Sequence, residues 1–130
     1  VCIQNPAIAE DFRYIIKQRG GMLAKGWLLG IQFEQLMQDG LYVELAAHAN
    51  GLALRLREGI AALGYGFSCD SPSNQQFPIL PDRVLAKLRG DFHWEEMGKP
   101  DADHTAIRLV TSWATRPEAV EAFLAALKKA

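Results

Sequence analysis

Arg108 stands in the middle of an otherwise apolar run, Ile107-Arg108-Leu109-Val110-Thr111-Ser112-Trp113. A guanidinium seldom enters such a run without a partner, because burying an unpaired charge is costly. Its planar fork matches a carboxylate, which it grips through two parallel hydrogen bonds. The partner is either an acid of the same chain, with Glu95 and Asp103 as candidates, or the carboxylate of a ligand. A second concentration of charge is Lys17-Gln18-Arg19-Gly20-Gly21-Met22, two cations beside a glycine break. Backbone N–H groups and positive charge at a helix start suit an anion. The same pattern also describes a solvated helix terminus. No HExxH, G-x-S-x-G, P-loop or paired-cysteine cluster occurs. Cys2 and Cys69, and His48, His93 and His104, are too scattered for metal-ligand spacing, so no metal site is expected.

The elements that position these residues follow from periodicity. Val1-Cys2-Ile3-Gln4 reads as the tail of a strand, and Asn5-Pro6 as a turn. A helix is predicted over Ala7–Lys17, broken by Gly20 and Gly21, and a second over Met22–Gln38, ended by Asp39-Gly40. The strongest signal is Leu41, Leu45, Ala49, Leu52, Leu56, Ile60 and Leu63, repeating at close to 3.6 residues, with Gly64 as the stop. Glu44, Arg55, Arg57 and Glu58 form its solvated face, and His48 is a packed helix residue. Beyond Gly64 the period changes to two. Strands are predicted over Tyr65–Cys69, Gln76–Leu80, Asp91–Glu96 and Thr105–Thr111. Ile107, Leu109 and Thr111 share one face of the last, Arg108 and Val110 the other. A short helix opens at Asp82 as N-cap and closes at Gly90. Thr115-Arg116-Pro117-Glu118 reads as a capping box that launches the final helix, with Val120, Phe123, Leu124 and Leu127 inward. The fold class is α+β: long helices, then a small antiparallel sheet with helices on one face. Residues 1–40 read as a connecting segment with helices, and residues 41–130 as a small α+β domain.

Composition bounds what such a chain does. Of 130 residues, 49% are hydrophobic and 22% charged, which is ordinary globular composition. A net charge of −1 without a basic block disfavours nucleic acid as a partner. No apolar run approaches the ~18 residues of a membrane span. Both cysteines read as reduced, which fits a cytoplasmic setting.

Four segments in register resemble the threonine aldolases, within the wider fold-type-I pyridoxal-phosphate and β-eliminating lyase group. Ile16-Lys17-Gln18-Arg19-Gly20-Gly21-Met22-Leu23-Ala24-Lys25-Gly26 is similar to the family's glycine-rich, Met-containing turn into a long helix. Ala47-His48-Ala49-Asn50 resembles a pattern in the long helix that follows. Ser73-Asn74-Gln75-Gln76-Phe77-Pro78 resembles its Thr-Asn-x-x-Phe strand entry, and Ile107–Trp113 its Arg-Leu-Val-Thr-His stretch. The chain departs from the family at Leu23, where many members carry arginine, and at Trp113, where many carry histidine.

The resemblance implies a C-terminal portion of a lyase that cleaves β-hydroxy-α-amino acids to glycine and an aldehyde, with pyridoxal 5′-phosphate as cofactor. It gives Arg108 the role of substrate-carboxylate ligand. Lys17, Arg19 and Lys25 become candidates for the cofactor-phosphate side. The Schiff-base lysine is not matched by any residue here, so it and the large cofactor domain are expected ahead of Val1, and the isolated chain is expected to be inactive. A homodimer or homotetramer is the implied assembly, and apolar surface on the opening helices is expected to drive association. Two other readings stay open: β-elimination or transamination on the same fold, and a non-enzymatic α+β dimerisation or binding module.

Overall fold

A computed structural model describes residues 2–130, and divides the chain into two compact units, residues 1–41 and 42–130. In the first unit, Cys2–Gln4 forms no strand, and Val1 lies outside the described residues. The predicted Ala7–Lys17 helix is two helices, α1 (Pro6–Ala9) and α2 (Phe12–Gln18). Asn5 starts the first by accepting the Ala7 N–H on its side chain at 3.1 Å. Asp11 then turns left-handed, at φ 53°, and interrupts the run. Aspartate tolerates that region better than most residues do.

Helix α3 covers Trp27–Met37 and not Met22–Gln38. None of Met22, Leu23, Ala24 and Lys25 has a side chain that caps a helix, and the start at Gly26 carries no side-chain cap. At the other end Asp39 and Gly40, at φ 52° and 77°, break the helix where the sequence placed the break. No residue of α3 is buried, and its large side chains are well exposed, among them Trp27 at 62% and Phe33 at 65%.

The second unit is built on α4 (Leu41–Ala62), which has the predicted length. Its buried residues are Ala49, Ala53, Leu56 and Ile60, with Leu52 and Leu63 packed at the flanks. Gly64 ends the helix at φ 87°, a backbone state that glycine adopts without a Cβ penalty. Arg57 is half-buried and not part of a free solvated face. It pairs with Asp70 at 2.5 Å and lies over the Phe67 ring.

Four named strands follow: β1 (Gln75–Gln76), β2 (Ile79–Pro81), β3 (Glu95–Gly98) and β4 (His104–Val110). Strand β4 is the centre of the sheet. Both β1 and β2 pair with it antiparallel in one continuous register, Gln75 opposite Val110 through to Pro81 opposite His104. Phe77 and Pro78 lie between β1 and β2 without breaking the course along β4, since the Pro78 carbonyl still accepts Ile107 N–H at 3.0 Å. Strand β3 pairs antiparallel along the other edge of β4. The predicted Tyr65–Cys69 strand is reduced to a bridge between Phe67 and Pro78, held by Ser68 N–H to Phe77 O and Ile79 N–H to Gly66 O. The predicted Asp91–Glu96 strand begins later, at Glu95, because Phe92 still bonds back to Leu88 at the end of α5 (Asp82–Leu88).

One sheet face and three helices enclose the core. Ile107 and Leu80 are fully buried against Leu56 and Ile60 of α4, Val84, Leu85 and Leu88 of α5, and the inner face of α6 (Pro117–Lys129). That inner face is Val120, Phe123, Leu124 and Leu127, as the sequence indicated. Two caps differ from expectation. Pro81 is the N-cap of α5, and Asp82 lies in its first turn. Arg116, not Thr115, caps α6. The Thr115 hydroxyl is occupied instead by Ser112 N–H at 2.8 Å.

Helices α4 and α6 meet closely at Gly59, where an added Cβ would lie 2.5 Å from Leu124 Cδ1. Gly51, on the same helix, faces open space. Gly51→Ala should therefore stabilise the unit by about 0.5–1 kcal/mol through helix propensity. Gly59→Ala should lose that gain and destabilise by about 1 kcal/mol through overpacking. Urea unfolding of the two variants reads the opposite signs directly.

Candidate active site

Arg108 lies on β4 with alternate residues on opposite sheet faces. Thr105 and Ile107 point inward and are buried, at 3% and 0% exposure, while Arg108 and Val110 point to the face away from the helices. The polar side chain escapes the core through the strand's period of two. Glu95 of β3 sits directly opposite Arg108 in the strand register. Its Oε2 accepts from Arg108 Nη2. Of the two acids proposed from sequence, Glu95 is the partner. Asp103 lies ahead of β4, where its backbone N–H donates to Asp101 Oδ1 and its backbone carbonyl accepts Asp82 N–H.

The pair does not exhaust the guanidinium. Arg108 Nε is buried and has no hydrogen-bond partner, although the side chain as a whole is 35% exposed. A planar cation with one donor paired and another unpaired has capacity left for a second oxygen ligand. The neighbouring acid is already taken: Glu96 accepts from Arg89 Nη2 at 2.7 Å, and Arg89 also lies over the Trp94 ring.

Hydrogen bonds and an ion pair anchor both ends of β4. At the C-terminal end, the buried Thr111 hydroxyl donates to the Ala49 carbonyl in α4 at 2.7 Å. Asn74 closes on the same residue, its Nδ2 donating to Thr111 O at 2.7 Å and its carbonyl accepting Thr111 N–H at 3.0 Å. His48 adds a contact from its ring Nε2 to the Thr115 carbonyl at 2.9 Å. It is exposed, so it acts as a latch between α4 and the turn before α6, not as a packed core residue. At the N-terminal end, Thr105 donates its hydroxyl to Asp82 Oδ1 at 2.6 Å, and Lys99 pairs with Asp82 Oδ2. Sequence reading missed these anchors. Asp82 was legible only as a helix-start acid, and Thr111 only as an inward strand residue.

Lys17, Arg19 and Lys25 belong to the first unit, and Arg108 to the second. All three cations are exposed. The glycines between them serve α2. Gly20, at φ 73°, donates to Lys17 O at 3.1 Å, and Gly21 donates to Ile16 O at 2.9 Å. This is the paired bonding of a Schellman helix end. The glycine amides are therefore spent on closing α2. Among the described residues no group of three His, Cys, Asp or Glu side chains is placed to hold a metal ion. No helix among them is long and apolar enough to cross a membrane. Cys2 and Cys69 are both free and exposed.

Lys99, and next the Thr105 hydroxyl, hold the Asp82 carboxyl below its ordinary pKa. A depressed folded-state pKa adds stability above the unfolded-state value of ~3.9, and that stability is lost as pH falls through the lower folded-state value. Asp82→Asn should therefore flatten the acid limb of the stability profile below about pH 4. Thermal unfolding at stepped pH measures the difference.

No family model matches the chain. It is 33% identical over 86 residues to the Low specificity L-threonine aldolase of Pseudomonas sp. (strain NCIMB 10558), covering 65% of this chain and 25% of that protein. The solved threonine aldolase of Leishmania major is similar at 45% identity with a TM-score of 0.86, over 90% of this chain and 34% of that one. Serine palmitoyltransferase of Sphingomonas wittichii is similar in fold, with a TM-score of 0.52 at 21% identity, over 64% of this chain and 23% of that one. The chain thus spans 25% and 34% of the length of the two aldolases it matches.

Proposed function

We propose, from a chain similar in sequence and fold to part of a threonine aldolase, that the protein containing it is a pyridoxal-phosphate-dependent lyase. Its reaction would be the retro-aldol cleavage of β-hydroxy-α-amino acids to glycine and an aldehyde. The observation that carries the reading is Arg108. It sits on the open sheet face, within the segment that resembles the family's carboxylate-binding stretch, with Glu95 engaging Nη2 and the side chain 35% exposed. An α-amino acid brings a carboxylate to the exposed part of the guanidinium, and a two-point grip on it would fix the orientation of the bonds at Cα.

When bound, the cofactor supplies an electron sink for the pair released as the Cα–Cβ bond breaks. This chain's part is to bind and orient. Arg108 holds the substrate carboxylate, and the exposed cations Lys17, Arg19 and Lys25 supply positive charge toward the cofactor phosphate. The residues fit the phosphate by charge only, since the Gly20 and Gly21 amides are engaged within α2. By this reading the Schiff-base lysine and the large domain belong to the remainder of the protein. Residues 1–40 would be the connecting segment, and residues 41–130 the small domain. The exposed apolar side chains of α3 would be covered in a cytoplasmic homodimer or homotetramer.

In the full-length protein, Arg108→Lys keeps the charge but loses the planar fork. Loss of a charge-assisted hydrogen bond is worth about 1.5–3 kcal/mol, so kcat/KM for L-threonine should fall roughly 10- to 150-fold. The fold should be unaffected, because the side chain lies outside the core. Steady-state kinetics with circular dichroism of the same samples checks both. Unchanged kcat/KM would remove Arg108 from the site.

A further inference from the structure

We propose that Glu95 is the positioning residue of Arg108, holding its guanidinium in place before the substrate carboxylate arrives. The proposal rests on the reading of Arg108 as carboxylate ligand. Antiparallel pairing sets Glu95 directly across from Arg108, ahead of the irregularity between Glu96 and Gly98. The adjacent acid, Glu96, is already held by Arg89, which leaves Glu95 free for Arg108.

The guanidinium has two edges that accept a two-pronged carboxylate. One is formed by Nε and Nη2, the other by Nη1 and Nη2. Arg108 Nε is buried, so the first edge is shielded from an incoming ligand. A substrate carboxylate must then approach the Nη1–Nη2 edge. Nη2 is the donor that Glu95 holds, and its second hydrogen is the one available to share. Glu95 thus fixes the plane that the substrate meets, and removes one long side chain's freedom in advance. Ordering a long side chain on binding costs affinity, and an internal partner meets that cost beforehand.

As an exposed ion pair, with Glu95 59% exposed, the contact adds little to folding stability. Its consequence is expected in substrate binding. In the full-length protein, Glu95→Ala should raise KM for L-threonine roughly 3- to 10-fold, with kcat changed by less than about twofold, since the turnover step does not involve the pair. Glu95→Gln keeps an oxygen acceptor at the same reach and should restore most of the loss. Melting temperature should stay close to wild type in both variants.

Two results would overturn the proposal. A lower KM in Glu95→Ala would make Glu95 a competitor of the substrate carboxylate. An unchanged KM, with or without a fall in melting temperature, would leave Glu95 a surface partner only. Arg108→Lys in the same assay keeps the two readings apart. If Arg108→Lys is impaired and Glu95→Ala is not, only the positioning role fails. If neither is impaired, the carboxylate-ligand reading fails with it.

Discussion

Burial of Ile107 at the centre of β4 is the constraint on which the sheet unit turns. A strand's side chains alternate, so placing Ile107 in the core commits Thr105 inward and Arg108 outward. Shifting the register by one residue would drive the guanidinium into a shell of Leu56, Leu80, Leu88 and Phe123. Such a burial is prohibitive for an unpaired charge. Core packing thus enforces the orientation of the one side chain on which the functional proposal depends.

The strand is also held at both ends, and the two ends are held differently. Near its start, Thr105 and Lys99 converge on the Asp82 carboxylate in the first turn of α5. An acid there also meets the positive end of the helix dipole. Just past its finish, Thr111 is bonded to α4 through the Ala49 carbonyl and to the Asn74 loop through its own backbone. Between these anchors Arg108 pairs with Glu95 across the sheet. A partly exposed side chain on a strand, with one fixed partner, suits a binding role better than one on a loop.

What was legible in the sequence followed from repetition. The 22 residues of α4 repeat their apolar positions over six turns, enough to indicate the helix's length and the buried Ala49, Leu56 and Ile60, though Leu41 at the start of that stripe is exposed and the buried Ala53 lay outside it. The inward face of α6 and the alternation of β4 were readable for the same reason. Shorter elements were not. The break at Asp11 depends on one residue adopting a left-handed conformation, which leaves no periodic trace. The glycine break of Lys17–Met22 was read as a helix start but closes α2, because a glycine pair beside cations can mark either kind of helix terminus in sequence. For Arg108, sequence indicated that a partner exists and proposed two acids. Only the β3–β4 register chose between them, because cross-strand neighbours are far apart in the chain.

The central claim is that Arg108 selects ligands by their carboxylate, and the most direct test varies the ligand. In the full-length protein, competitive inhibition by glycine and by glycinamide can be compared in wild type and in Arg108→Ala. The account predicts that wild type prefers glycine by roughly 10- to 100-fold, the worth of a charge-assisted pair. It predicts that this preference collapses to near unity in Arg108→Ala, because glycine binding weakens while glycinamide binding is unchanged. A preference that survives the loss of Arg108 would contradict the account and assign carboxylate recognition to another group.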